Sequence, residues 1–291
     1  MLPQLLGGDT PEVVEGTKLY KIMARGEVTP GSKTALVTGA SRGIGRCYAL
    51  RLAKLGYNIV MVSSAVEELA ATAEEVQRVS DKIWVRHLAK DLATTTAGDE
   101  LFAWTESEGI KIDVLVNNAG IFSFCDILST PEERIERIIY LHALTATKTS
   151  RLYAADMIRR GGGRILNMSS YSIWMPYPGL ALYSASKAYL RSFTVAFAKE
   201  LKGTGVTATA ICPAGIATDL YGLSPKLQRF GLKIGVLMSP ESCARRGLNG
   251  MFRGQRCKVP DWWFRLFIPF AKCLGSYPMK WLRNYTMKFQ K

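Results

Sequence analysis

Tyr183 and Lys187 stand four residues apart in Tyr-Ser-Ala-Ser-Lys. On a helix that spacing is about one turn, so a phenol and an ammonium share one face. Free, the two groups have pKa values near ~10 and ~10.4. An adjacent ammonium favours the phenolate, so the pair is expected to lower the tyrosine pKa. A tyrosine tuned in this way donates or accepts a proton near neutral pH. The same spacing occurs by chance in helices, so its meaning depends on what the rest of the chain places beside it.

Lys33 to Thr38 is a short β-rich run, read as a buried first strand. It leads into Gly39-Ala40-Ser41-Arg42-Gly43-Ile44-Gly45 and then a helical pattern from Arg46 to Leu55. Strand, glycine turn and helix form the context of a dinucleotide-binding loop. Glycines let backbone approach a pyrophosphate, and the helix N-terminus presents N–H groups to it. The spacing is Gly-x-x-x-Gly-x-Gly rather than the commoner Gly-x-Gly-x-x-Gly. An acid closing the second strand would grip the adenosine ribose and mark NAD. Here Asn58 to Ser63 is followed by Ser64, with no acid until Glu67, and Arg42 is available for a 2′-phosphate. Both features favour NADP(H) over NAD(H).

Further along, strands are expected at 83–88, 114–116, 164–168 and 207–212. Helices are expected at 66–79, 95–107, from Pro131 to about Met157 with Ser129-Thr130 as caps, and from Tyr183 to about Leu201. Such alternation implies right-handed βαβ units and an α/β, Rossmann-type, doubly wound parallel sheet. Ligands then bind beyond the carboxyl ends of the strands. Residues 1–32 read as an N-terminal extension with one short helix near 17–23. Residues 33–260 read as the catalytic domain, with a substrate-binding segment at about 219–240, and 261–291 as a basic, aromatic tail.

The chain has 291 residues, of which 48% are hydrophobic, enough for a large core. No apolar run is long enough to span a bilayer, and no secretory signal is expected. Six scattered cysteines read as reduced thiols in a cytoplasmic protein. His87 and His142 lie far apart in sequence, so no metal site is expected. The net charge is +14, and the tail after Asp261 contains no acid.

Thr38 to Gly45, Asn117 to Gly120 (Asn-Asn-Ala-Gly), Ser170, Tyr183-x-x-x-Lys187 and Pro213 to Thr218 together resemble, in order and spacing, the short-chain dehydrogenases/reductases. The resemblance covers about Lys33 to Thr218. It implies a nicotinamide cofactor and hydride transfer between a carbonyl and an alcohol. It implies that Tyr183 is the general acid or base, that Lys187 tunes it and holds ribose hydroxyls, and that Ser170 binds the substrate oxygen. Gly39, Ser41, Arg42, Gly43, Ile44, Gly45, Ser63 and Ser64 would serve the pyrophosphate and adenosine, with Asp91 and Leu92 at the adenine. Asn117, Ala119 and Gly120 would serve the ribose and the sheet, and Pro213, Gly215, Ile216 and Thr218 the nicotinamide. Two positions depart from the family. His142 stands where a relay asparagine is usual and would hold a water or carry a proton, and Ala214 replaces a glycine.

Phe230, Leu232, Ile234, Val236, Leu237 and Met238 are expected to line a pocket for a lipophilic substrate, with Trp174 and Tyr177 as a further aromatic wall. The style resembles the branch of 3-oxoacyl-CoA reductases and 17β-hydroxysteroid dehydrogenases. Family members are commonly homodimers or homotetramers. The aromatic and cationic tail suits a lid, a subunit contact or a peripheral membrane contact. No nucleic-acid module is visible. The rival to an enzyme is a catalytically silent NADP-binding sensor or scaffold; a complete Ser170, Tyr183 and Lys187 set favours the enzyme.

Overall fold

Alternation along each strand decides which face its side chains serve. In β1 (Thr34–Thr38), Ala35 and Val37 enter one hydrophobic layer and Leu36 the other. In β2 (Asn58–Ser63), Ile59 and Met61 join the first layer, and Val60 and Val62 the second. β4 (Val114–Asn117) repeats the pattern, with Val114 and Val116 opposite Leu115. Strands apolar on both faces need helices on both faces. The first layer is covered by α1 (Gly43–Lys54), α2 (Val66–Gln77) and α8 (Pro240–Phe252), through Leu52, Leu69, Val76 and Leu248. The second is covered by α3 (Ala97–Ser107), α5 (Ala146–Arg159) and α6 (Ala181–Glu200), through Leu101, Tyr153 and Met157 and the chain around Leu201. Each fully buried leucine contributes about 1.5–3 kcal/mol.

The computed structural model describes residues 28–175, 177–218, 224–261, 264 and 266. With β3 (Val85–Ala89), β5 (Gly163–Met168), β6 (Val206–Ile211) and β7 (Cys257–Lys258), the sheet has, among the described residues, seven parallel strands in the order β3-β2-β1-β4-β5-β6-β7. The order reverses between β1 and β4, which opens a crevice at their carboxyl ends. The expected Rossmann-type architecture is therefore present.

Several details differ from expectation. α1 starts at Gly43, so the last two loop glycines lie in its first turn. The helix expected from Pro131 is α4 (Glu132–Ile139), then a π-helical turn over Tyr140–Thr145, then α5. Ser129 and Thr130 do not cap α4; the Thr130 hydroxyl donates back to the Asp126 carbonyl at 3.0 Å. α7 (Pro225–Lys233), α8 and β7 had not been anticipated as elements. The helix expected near 17–23, residues 219–223 and most of the tail lie outside the described residues. Among the described residues no helix is long and apolar enough to cross a membrane.

Candidate active site

The crevice is stitched together by Thr38, the last residue of β1. Its Oγ1 accepts from the backbone N–H groups of Asn118 and Ala119, both at 3.0 Å. The Asn118 side chain returns the link, its Nδ2 donating to the carbonyls of Thr38 at 3.0 Å and Gly39 at 3.2 Å. The two turns then approach so closely that side chains are excluded. A Cβ on Gly39, at φ +62°, would sit 2.8 Å from the Ala119 Cα, and one on Gly45 would sit 2.0 Å from the Gly39 carbonyl oxygen. α1 begins here with Arg42 at its N-cap, no side-chain cap and no acid in its first turn. Its leading N–H groups are left for an anion.

A cavity of ≈ 500 Å³ opens over this junction. Of the residues expected at a cofactor, Gly39, Ser41, Arg42, Gly43 and Ile44 line it, as do Ser63, Ser64, Asp91, Leu92, Ala119, Gly120, Pro213, Ile216 and Thr218. Ser170, Tyr183 and Lys187 line the same space. Asn118, inside the Asn-Asn-Ala-Gly turn, and Ser169, next to Ser170, line it too, as do Lys90, Arg137 and Gln228, which sequence reasoning missed. They sit beside recognised motifs or on distant helices and carry no spacing signal of their own.

α6 carries Tyr183 and Lys187 on one buried face, as their spacing requires. The Ser169 hydroxyl donates to the Lys187 carbonyl at 2.7 Å and pins α6 to the end of β5. Ser170 follows, and its hydroxyl hydrogen-bonds the Tyr183 phenol. The Ser172 N–H donates to Ser170 Oγ at 3.2 Å and holds its rotamer. Lys187 Nζ donates to the Met168 carbonyl at 2.9 Å and lies 5.8 Å from the centre of the Tyr183 ring. Phe122 meets that ring edge-on at 5.1 Å.

Residues 33–226 match the short chain dehydrogenase family. This chain belongs to the short-chain dehydrogenases/reductases. The very-long-chain 3-oxoacyl-CoA reductase of Coccidioides immitis is 30% identical over 80% of this chain and 67% of that protein. That of Ajellomyces capsulatus is 36% identical over 67% of this chain and 56% of that protein. A short-chain dehydrogenase from Sphingobium yanoikuyae, solved with NADPH, superposes with a TM-score of 0.70 at 27% identity, over 80% of this chain and 91% of that one. The chain is thus an oxidoreductase of CH–OH and ketone groups with a nicotinamide cofactor, and these relatives give the silent sensor no support. The glycine junction, the uncapped α1 N-terminus and the cavity fit that cofactor on their own geometry.

In this dehydrogenase/reductase the electrostatics correct one expectation. Burial pushes the Tyr183 pKa up to about 12, and the Ser170 hydrogen bond only partly opposes it. The attraction of the Lys187 ammonium does not outweigh that burial. Burial brings Lys187 itself down to about 8, and its ammonium is aimed at the Met168 carbonyl rather than at the phenol. At neutral pH the phenol therefore keeps its proton, the state a general acid needs.

His142 is also placed differently from a free relay group. It is buried in the π-helical turn, with both ring nitrogens engaged. The Ile121 N–H donates to Nε2 at 3.0 Å, so the proton sits on Nδ1, which faces Ser186 Oγ at 2.8 Å. Ser186 in turn donates to the Tyr183 carbonyl at 2.8 Å. Burial, then the Lys187 charge, keep the imidazole well below its usual pKa. Holding a water would cost one of these bonds, so the ring acts here as a brace between the turn after β4 and α6. Its edge still reaches the site: a Cβ on Gly120 would lie 3.1 Å from His142 Nε2 and 3.4 Å from Lys187 Nζ.

Other expected residues stand behind the wall. Asn117 is buried in a network, donating to Asn167 at 2.9 Å and accepting from Thr149 at 3.0 Å. Gly45 and Gly215 provide close packing, Gly215 against Leu237. Arg42 is exposed and pairs with Glu68 at 3.5 Å, and Asp91 pairs with Arg137 at 2.9 Å. The aromatic wall is a correction: Trp174 packs on Tyr171 and beneath Arg191, and Tyr177 against Phe124, all off the cavity surface. So is the apolar lining. Phe230, Leu232, Ile234 and Val236 face solvent, because only Gln228 and Gly231 of α7 turn toward the body of the protein.

Proposed function

We propose that this enzyme uses NADPH to reduce the ketone of a lipophilic substrate, a 3-oxoacyl thioester or a steroid-like ketone. The observation that carries this is one cavity holding a protonated phenol, the hydroxyl bonded to it and a buried lysine, over an uncapped helix N-terminus. Ser170 donates to the substrate oxygen and steadies its growing charge. Tyr183 gives that oxygen its proton. Lys187 grips the ribose hydroxyls and holds α6 in place. When bound, the nicotinamide supplies the hydride.

Arg42, Ser63 and Ser64 on the cavity wall, with no acid closing β2, support NADP(H). The names of the reductases above support the thioester. The test is a screen of 3-oxoacyl-CoA esters, steroid ketones and simple ketones, read by NADPH absorbance. Tyr183→Phe should cut turnover by about a hundredfold or more while NADPH still binds. Turnover near that of the wild type in this variant would overturn the mechanism.

A further inference from the structure

The apolar residues displaced from the cavity wall lie together on the outside of the protein. α7 is preformed: Ser224 caps it, accepting from the Leu227 N–H at 3.4 Å, and Pro225 occupies its first turn. Its inner side is Gln228, on the cavity wall, and Gly231, where a Cβ would strike Leu237 at 2.6 Å. The outer side and the run after it carry Leu227, Phe230, Leu232, Ile234 and Val236, with Phe230 59%, Ile234 53% and Val236 52% exposed. Lys226, Arg229 and Lys233 stand exposed among them and enter no ion pair among the described residues. From Leu220 to Pro240 the chain contains no acid. At about 100° per residue the three cations fall within a narrow sector, with Phe230 beside it and Leu227 beyond.

Exposed aliphatic and aromatic groups interleaved with cations, and with no acid to repel a headgroup, match the surface of an anionic bilayer. Rings and aliphatic chains enter the acyl boundary while lysine and arginine stems extend to phosphate. We infer that residues 224–238 are a docking surface for an anionic lipid bilayer, set beside the mouth of the cavity through Gln228. The segment covers the site on one side and meets the membrane on the other, so a lipophilic ketone passes from bilayer to cavity without crossing water. A second exposed apolar pair, Ile127 and Leu128, lies in the loop after β4, which also follows a strand's carboxyl end. The purpose of this surface rests on the lipophilic-substrate reading; the binding itself is measured without turnover.

The test is flotation of the full chain with vesicles of phosphatidylcholine alone or mixed with phosphatidylserine. The full chain should float with the mixed vesicles and much less with the neutral ones. The double variant Phe230→Asp, Ile234→Asp and the triple variant Lys226→Glu, Arg229→Glu, Lys233→Glu should each lower partition by about tenfold or more. NADPH-dependent reduction of a water-soluble ketone should be unchanged in both, which shows that they fold. Partition equal to that of the wild type in both variants overturns the inference. Loss of binding only on deletion of residues 262–291 also overturns it, by placing the contact in the tail. So does a wild-type dimer that the Phe230 and Ile234 substitutions convert to monomer without changing partition, since a second copy would then cover the face. If vesicle binding responds as stated but no ketone is reduced, the surface stands and the proposed substrate class falls.

Discussion

Thr38→Val tests whether one hydroxyl holds the two cofactor-facing turns together. Valine keeps the shape and removes Oγ1. The Asn118 N–H loses one acceptor but keeps the Val116 carbonyl at 3.1 Å. The Ala119 N–H loses its 3.0 Å partner. One partly buried donor is therefore stranded, at a cost of about 1–2 kcal/mol, toward the low end because the cavity admits water. For a domain of this size that is a fall in Tm of about 2–8 °C by thermal denaturation. Because Gly39 already sits within 2.8 Å of Ala119 for any added Cβ, a shifted turn also narrows the cofactor cleft. NADPH affinity, measured by fluorescence titration, should fall several-fold, with Ser170, Tyr183 and Lys187 untouched. Thr38→Ser restores the hydroxyl and should recover most of that affinity. If Thr38→Val melts and binds like the wild type, the hydroxyl is not what joins the turns. If Thr38→Ser fails as badly, the methyl group matters instead.

Arg42→Ala should raise the Michaelis constant for NADPH more than for NADH in initial-rate measurements; an equal rise would refute selection of the 2′-phosphate by this side chain. The Lys187 ammonium, lowered to about 8 by burial, is lost as pH rises through that value, while Tyr183 stays protonated to about 12. Ketone reduction should therefore fall above about pH 8, and Lys187→Arg should remove that limb because guanidinium stays charged; a flat wild-type profile to about pH 10 would count against it. The Cys257 thiol is lowered by its hydrogen bond with Cys212, 3.9 Å away, against the opposing effect of burial, and further by Arg191. It should react with iodoacetamide before Cys47 and Cys243, whose thiols are pushed up by burial; peptide mapping that finds either of those two first would refute this.

The strand faces were legible because alternation is a local property. Ala35, Leu36 and Val37 declare two opposite layers whatever surrounds them, and three such strands, β1, β2 and β4, alternating with helices leave little choice of sheet. β7 was not legible, since two residues have no period and their place comes from pairing with β6. The π-helical turn at 140–145 was hidden for another reason: one extra residue in a turn leaves an apolar pattern that still reads as helix. Its effect is to set His142 against Ile121 and Ser186, which no spacing rule foretells.

The apolar run 230–238 shows what periodicity leaves open. Phe230 and Ile234 are four residues apart and share a side of the chain, but nothing local says whether that side meets the cavity or the outside. Gly231 decides it, since the one position of α7 without a side chain is the one that packs on Leu237, whereas a Cβ on Gly235, beyond the helix, would meet nothing. The Tyr183 and Lys187 pair carries the same lesson at the site. Four-residue spacing correctly placed both groups on one face. It could not say that the face is buried, nor that the Met168 carbonyl takes the ammonium. Desolvation then outweighs attraction, raising the phenol and lowering the lysine. The sign of a pKa shift belongs to the surroundings, and here the surroundings come from the ends of β5 and β6, far away in sequence.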